Sequence, residues 1–374
     1  MSYSRYNSSG ANFTKNRIEP SPISGICVTC LDGCPGPCEI GKSAIRGREL
    51  IYPQPFGKVT AGGEKDYPVD LSHFNIHGSC VGAEGIEADP DKAIFPNVNI
   101  ETEIGKDGNL KLKVPFFTGA LGSTDIAKNN WDHFAVGAAI CGTVVVVGEN
   151  VCGMDPNLEL KNGKVYRSPD MEHRVKVYKD WYEGYGNILV QLNVEDTRLG
   201  VAEYVIEKLG VEAIELKWGQ GAKDIGGEVK LFSIERALEL KKRGYLVQPD
   251  PEDPVIEEAY KLGAITEFER HSRLGMVTEE GFLKEVERVR KIGAKYVTLK
   301  TGAYRPRDLA LALKLSSEAK IDLLTIDAAG GGTGMSPWRM MNESGVFQPF
   351  IFSLLLTTLQ NSLLKRKNMF QTLQ

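Results

Sequence analysis

The chain has 374 residues, 42% of them hydrophobic, with Lys+Arg 45 against Asp+Glu 49 and a formal net charge of -4. That is enough apolar material for one large core plus a smaller appended module, and the near-balanced charge carries no footprint for nucleic acid or an anionic membrane surface. The opening text MSYSRYNSSGANFTKN has no apolar signal-peptide stretch, and the longest apolar run near the other end, Phe350 to Leu356, is too short to span a bilayer, so a cytoplasmic protein is expected.

Residues 1–25 are polar and rich in Ser and Asn, and residues 26–110 are rich in Cys, Gly and Pro with few periodic segments. We read 1–110 as a loop-rich N-terminal module. It carries Cys27, Cys30, Cys34 and Cys38 in a C-x2-C-x3-C-x3-C run, with Pro35 after the third. Seven cysteines in a chain without an export signal do not read as a disulfide framework. Thiolates this close suit an iron–sulfur cluster or zinc, with plain free thiols as the remaining alternative. Cys80, in HGSC near His77, is a further possible ligand.

From residue 111 the text changes to repeated units of apolar strand, Gly/Asp loop and amphipathic helix. Val114–Leu121 is the first strand, and Ser123-Thr124-Asp125 caps a helix through Ile140. Thr143–Gly148 is the second strand; after a long connection Ile188–Asn193 is the third, and Asp196 and Thr197 open a helix ending at Gly210. Ala213–Trp218 is the fourth, followed by an excursion with helical text at 233–243 and 254–262. Within it, Arg270 and His271 of FERHSRLG are read as part of a mobile loop over the site, His271 in a structural role. A helix starting at Thr278 runs through Ile292 to Gly293, Tyr296–Lys300 is the fifth strand, Pro306–Ala319 a helix, and Leu323–Asp327 the sixth strand, followed by AGGGTG.

Strands alternating with helices in this way imply parallel βαβ units. Ile214/Leu216, Val297/Leu299 and Leu324/Ile326 share one face of their strands; the other carries Glu215/Lys217, Thr298/Lys300 and Thr325/Asp327. A doubly wound sheet, covered by helices on both faces, is apolar on both. Charge on one face, at the C-terminal strand ends, suits instead the mouth of a barrel, where active sites sit. Solvated strand ends are the competing reading.

Three segments carry a family resemblance. VPFFTGALGS ends the first strand, ELKWGQGAKDIGGE the fourth and IDAAGGGTGMSP the sixth. In this order they resemble the FMN-binding synthase domain of the glutamate synthase family, in its stand-alone archaeal/bacterial form. The family's G-A-L-S turn is matched by Gly119, Ala120 and Leu121, and approximately by Gly122 and Ser123; its G-E-G turn by Gly148 and Glu149, with Asn150 departing. Its K-I-A-Q-G-A-K element is matched by Lys217, Gln220, Gly221, Ala222 and Lys223, and its V-K-L lysine by Lys300. Its G-G-T-G-x-S-P loop is matched by Gly331, Gly332, Thr333, Gly334, Ser336 and Pro337, while Gly330 departs from an acidic position. The resemblance covers about 113–345.

It implies a (β/α)8 TIM barrel of the FMN-binding type, and an oxidoreductase of nitrogen assimilation that reduces the imine of 2-oxoglutarate and ammonia to L-glutamate. FMN would lie against Gly119, Ala120, Leu121, Ser123, Glu149, Gln220, Lys300, Gly331, Gly332 and Thr333. Lys300, Lys217 and Glu149 would take catalytic roles, and Lys217 and Lys223 would hold substrate carboxylates. The chain shows neither a glutaminase nucleophile nor a GxGxxG module, so separate glutaminase and electron-donor subunits are expected. The alternatives are a related amine-handling synthase of the N-methylglutamate type and a non-catalytic fragment or iron–sulfur electron carrier.

After Gly345 the text loses barrel character. Read one base out of phase, the codons for Phe347 to Phe352 permit P-T-F-Y-L-Q, and those for Asn368 to Gln374 permit Y-V-P-D-L-A, both fitting the family's continuation. The expectation is a frameshift near Val346, giving a partial barrel over 111–345 with about six of eight strands and an aberrant tail over 346–374, weak in FMN binding; a divergent tail is the alternative.

Overall fold

A computed structural model describes residues 99–107, 109–218, 228–273, 278–302 and 304–327. Its frame is a parallel sheet of β3 (Val144–Val147), β6 (Asn187–Leu192), β7 (Ala213–Lys217), β11 (Tyr296–Gly302) and β12 (Leu323–Asp327). The spatial order is β12-β11-β7-β6-β3, so each strand pairs with the next parallel strand in the chain. A doubly wound sheet reverses order at a switch point; this one never does. It is a curled, singly wound half-barrel of mixed α/β construction, compatible with part of a TIM-like barrel. The segment expected as the first strand lies beside β3 in the same sense, but pairs only through isolated bridges at Phe117–Val144 and Leu121–Val147.

Helices cover the outer face. Val145, Val147, Ile188, Val190, Ile214, Leu216, Val297 and Leu299 point outward into one core with α2 (Trp131–Cys141), α4 (Pro169–Asp180), α6 (Val201–Glu207), α9 (Glu279–Ile292) and α10 (Pro306–Glu318). Each helix starts where local chemistry permits. Thr278 accepts from Gly281 N to begin α9, and Ser168 accepts from Met171 N with Pro169 in the first turn of α4.

The structure corrects the sequence expectations at several points. The helix expected through Ile140 divides at Asn130 into α1 (Asp125–Asn129) and α2. The helix after β6 is capped by Asn193, with Asp196 completing a capping box, and breaks at Gly200, which has φ 71°, into α5 (Val194–Leu199) and α6. The long connection after β3 contains α3 (Val151–Met154), the hairpin β4 (Glu159–Lys161) and β5 (Lys164–Arg167), and α4. The excursion after β7 is an antiparallel sheet ordered β8 (Glu228–Leu231), β10 (Phe268–His271), β9 (Leu246–Gln248), with α7 (Ile234–Lys242) and α8 (Pro254–Lys261). Arg270 and His271, expected in a mobile loop, form part of strand β10, and Arg270 is fully buried there.

The inner face of the half-barrel is arranged in rows by its register. The lowest row, Leu189–Ala213–Tyr296, is apolar and packs with Val144 and Val146 under Leu110 and Leu112. Those two leucines come from β2 (Leu110–Leu112), which pairs antiparallel with β1 (Thr102–Ile104) to close the floor. The middle row is Gln191–Glu215–Thr298, and the upper row is Lys217–Lys300–Thr325. Polarity therefore rises toward the C-terminal ends of the strands.

Candidate functional site

The upper row meets two carboxylates. Lys217 Nζ donates to Glu149 Oε1 at 2.5 Å, and the lysine side chain is 6% exposed. Lys300 Nζ lies 3.1 Å from Asp327 Oδ2 and is 13% exposed. Glu149 follows β3, Lys217 ends β7 and Asp327 ends β12, so four separate segments bring these charges to one end of the sheet. Lys217 and Lys300 are register partners on adjacent strands. Like charges set side by side are unfavourable unless compensated, and the two acidic partners provide that.

Backbone contacts join the Gly119–Ser123 turn to this end. Leu121 N donates to Val146 O at 3.0 Å, and Gly148 N donates to Leu121 O at 2.8 Å. A Cβ on Gly148 would stand 2.5 Å from Gly122 N, so glycine is needed there for the two turns to touch. Arg174, on α4 and wholly buried, donates through Nη1 to the carbonyls of Leu121 and Gly122, each at 3.0 Å. Its Nε donates to Asp170 at 3.0 Å, and its guanidinium lies 5.0 Å from the Trp131 ring centre. Gly119, by contrast, is exposed, and nothing lies within 4 Å of where its Cβ would be.

Beneath the lysines, Glu215 is 2% exposed. Gln191 Nε2 donates to its Oε1 at 2.6 Å, and Thr298 Oγ1 to its Oε2 at 3.3 Å. Burial pushes its carboxyl above the ordinary range, opposed by the Gln191 and Thr298 hydrogen bonds and by the charges of Lys300 and Lys217.

A second buried network fixes the turn that bears Glu149. Asn150 N donates to both oxygens of Asp196, at 3.2 and 3.0 Å, and Asn193 N donates to Asp196 Oδ2 at 3.2 Å. Asn193 Nδ2 and Tyr245 Oη both donate to Asn150 Oδ1, and Arg270 donates to Ser272 Oγ at 2.7 Å. Burial raises Asp196 to about 7, against the two backbone donors, with Glu149 pushing it up and Arg270 pulling it down. Desolvation also lowers Arg270, whose surrounding acids and Tyr245 act the other way.

Of the residues expected at the site, Gly119, Ala120, Leu121, Ser123, Glu149, Lys217 and Lys300 lie at this end of the sheet. Gln220, Lys223, Gly331, Gly332 and Thr333 lie outside the described residues, as do Cys27, Cys30, Cys34 and Cys38. Among the described residues there is no group of three or more His, Cys, Asp or Glu placed to hold a metal, and no helix long and apolar enough to cross a membrane. Sequence reading missed Arg174 and the Asn150–Asp196 network. Ser168-Pro169 followed by Glu172 is a helix-start signature that would have located α4 and therefore Arg174.

No protein-family model and no curated protein matches the chain. Among solved structures, the carboxyl transferase domain from Rhizobium etli pyruvate carboxylase is similar at 9% identity with a TM-score of 0.21, over 62% of this chain and 42% of that one. The chain thus spans less than half the length of that structure, and a likeness so slight assigns neither fold nor function.

Proposed function

We propose that the chain is a glutamate synthase-type, FMN-dependent oxidoreductase that forms L-glutamate from the imine of 2-oxoglutarate and ammonia. The observation that supports this best is the Lys217–Lys300 row, two cations side by side at the C-terminal end of a singly wound parallel sheet, beside an acid on Glu149. The turn before them suits a flavin. Packing does not demand glycine at Gly119, whereas a flat ring laid on the backbone does.

Gly119, Ala120, Leu121 and Ser123 would hold the ring from the first turn, with Gln220, Gly331, Gly332 and Thr333 as the further contacts the resemblance implies. Bound FMN supplies hydride transfer to the imine carbon. Lys300 offers a fixed positive charge to the electron-rich edge of the ring, a preorganised partner that needs no rearrangement. Lys217 and Lys223 hold the substrate carboxylates, and Glu149, through its contact with Lys217, can hold a proton near the imine nitrogen. Cys27, Cys30, Cys34 and Cys38 would carry an iron–sulfur cluster for electron entry, with a glutaminase subunit supplying ammonia.

The test is an FMN titration from the micromolar to the millimolar range, followed by flavin fluorescence. Saturable binding is expected, weakened about ten- to a hundredfold by Lys300→Ala, the scale of one charge-assisted contact. No saturable binding, or equal binding by the variant, overturns the reading.

A further inference from the structure

Glu215 touches neither turn at the end of the sheet, yet it occupies the centre of the inner face. It lies in the row directly below the lysines, two residues before Lys217 on β7 and opposite Thr298, itself two residues before Lys300 on β11. Side chains two apart on a strand point the same way. An ionised carboxylate buried to this degree is costly unless donors and cations compensate it. Here Gln191 and Thr298 supply one hydrogen bond to each oxygen, and the charges of Lys300 and Lys217 both act on it.

The requirement runs in both directions. Lys217 and Lys300 are neighbours across two strands and partly withdrawn from water. Glu149 reaches Lys217 from the turn after β3, and Asp327 reaches Lys300 from the end of β12. Both acids sit above or beside the row on loops and strand ends. Glu215 alone lies beneath it, on a fully paired central strand.

We propose that Glu215 is a positioning residue, its carboxylate clamped between Gln191 and Thr298 so as to hold Lys217 and Lys300 side by side as a pair of cations on the inner face. This rests on the functional reading only in taking that row as the reacting end. Without Glu215, the two ammonium groups repel each other with less compensation, and one of them spends more time as a neutral, nucleophilic amine.

Competitive acetylation of the full chain at pH 8, read lysine by lysine by mass spectrometry, tests this without FMN. In Glu215→Gln, which keeps the shape of the side chain, labelling at Lys217 or Lys300 rises about tenfold relative to the exposed Lys284. Thr298→Val changes no charge and removes one donor to Glu215, so it raises the same labelling in the same direction by a smaller factor; it serves as the test if Glu215→Gln does not fold. A labelling ratio unchanged from the parent in every folded variant overturns the proposal. Failure of the chain to bind FMN would sink the functional reading and leave this ratio as informative as before.

Discussion

Arg174 is the side chain on which the first turn depends. Its guanidinium serves two backbone carbonyls, one carboxylate and one indole face, all away from water. Arg174→Met fills much of the same space but leaves the Leu121 and Gly122 carbonyls unpaired and Asp170 without its cation. Breaking a buried pair of this kind costs about 3 kcal/mol, so urea unfolding should show a loss of that order; a loss below about 1 kcal/mol would mean the turn does not need the clamp. Asp196 makes a second case, with a sign that can be worked out. Its folded value of about 7 lies above the ordinary 3.8, so the fold favours the protonated form. That contribution is fully present below about pH 4 and is lost as the pH rises through about 7. Asp196→Asn keeps an oxygen for the Asn150 and Asn193 amides and does not titrate. It should gain stability relative to the parent between pH 5 and pH 8, by a few kcal/mol on the linkage scale. An equal difference at the two pH values would show that Asp196 does not titrate in this window. Neither residue is conspicuous in the text. Lys217 and Lys300 stood out because alternation put charge on one face of an otherwise apolar strand, whereas a buried arginine on a helix looks like any surface cation until its surroundings are known.

Elements with strong local punctuation were legible. The helix from Thr278 to Gly293 has a capping threonine, two acids in its first turn, basic residues in its last and a glycine stop, and it forms as read. Leu323–Asp327 likewise forms over the expected residues. The antiparallel pieces were not legible, because strands of three or four residues such as β4, β5 and β9 are too short to display a period. Their stability comes from pairing and from contacts that the local text does not record, such as Tyr245, Val247 and Phe268 meeting in one small core. The first barrel segment failed as a strand for a related reason. Its glycine turn is held by two bridges, by Arg174 and by a close approach to Gly148, and it needs no continuous ladder.

At the scale of the whole molecule, the fold separates stability from chemistry along the strand direction. The outer face and the floor are apolar, and charge is confined to the C-terminal end. The β1–β2 hairpin has a particular place in that scheme. Leu110 and Leu112 cover the floor, Gly186 N donates to Lys111 O at 2.8 Å, and Lys113 N to Gly142 O at 2.9 Å, so the hairpin is tied to the sheet on both sides. Leu112 is 2% exposed and packs against the lowest row. Truncating a leucine there removes its transfer free energy and leaves a void that a β-sheet floor cannot collapse to fill. Leu112→Ala should therefore cost about 3 kcal/mol in urea unfolding, in a single transition, since the hairpin and the sheet share one core. The same substitution should leave the Lys217/Lys300 labelling ratio near that of the parent, because two rows separate the floor from the lysines. A loss below about 1 kcal/mol, or a separate early transition, would show that the hairpin is an appendage and that the floor is closed by something else.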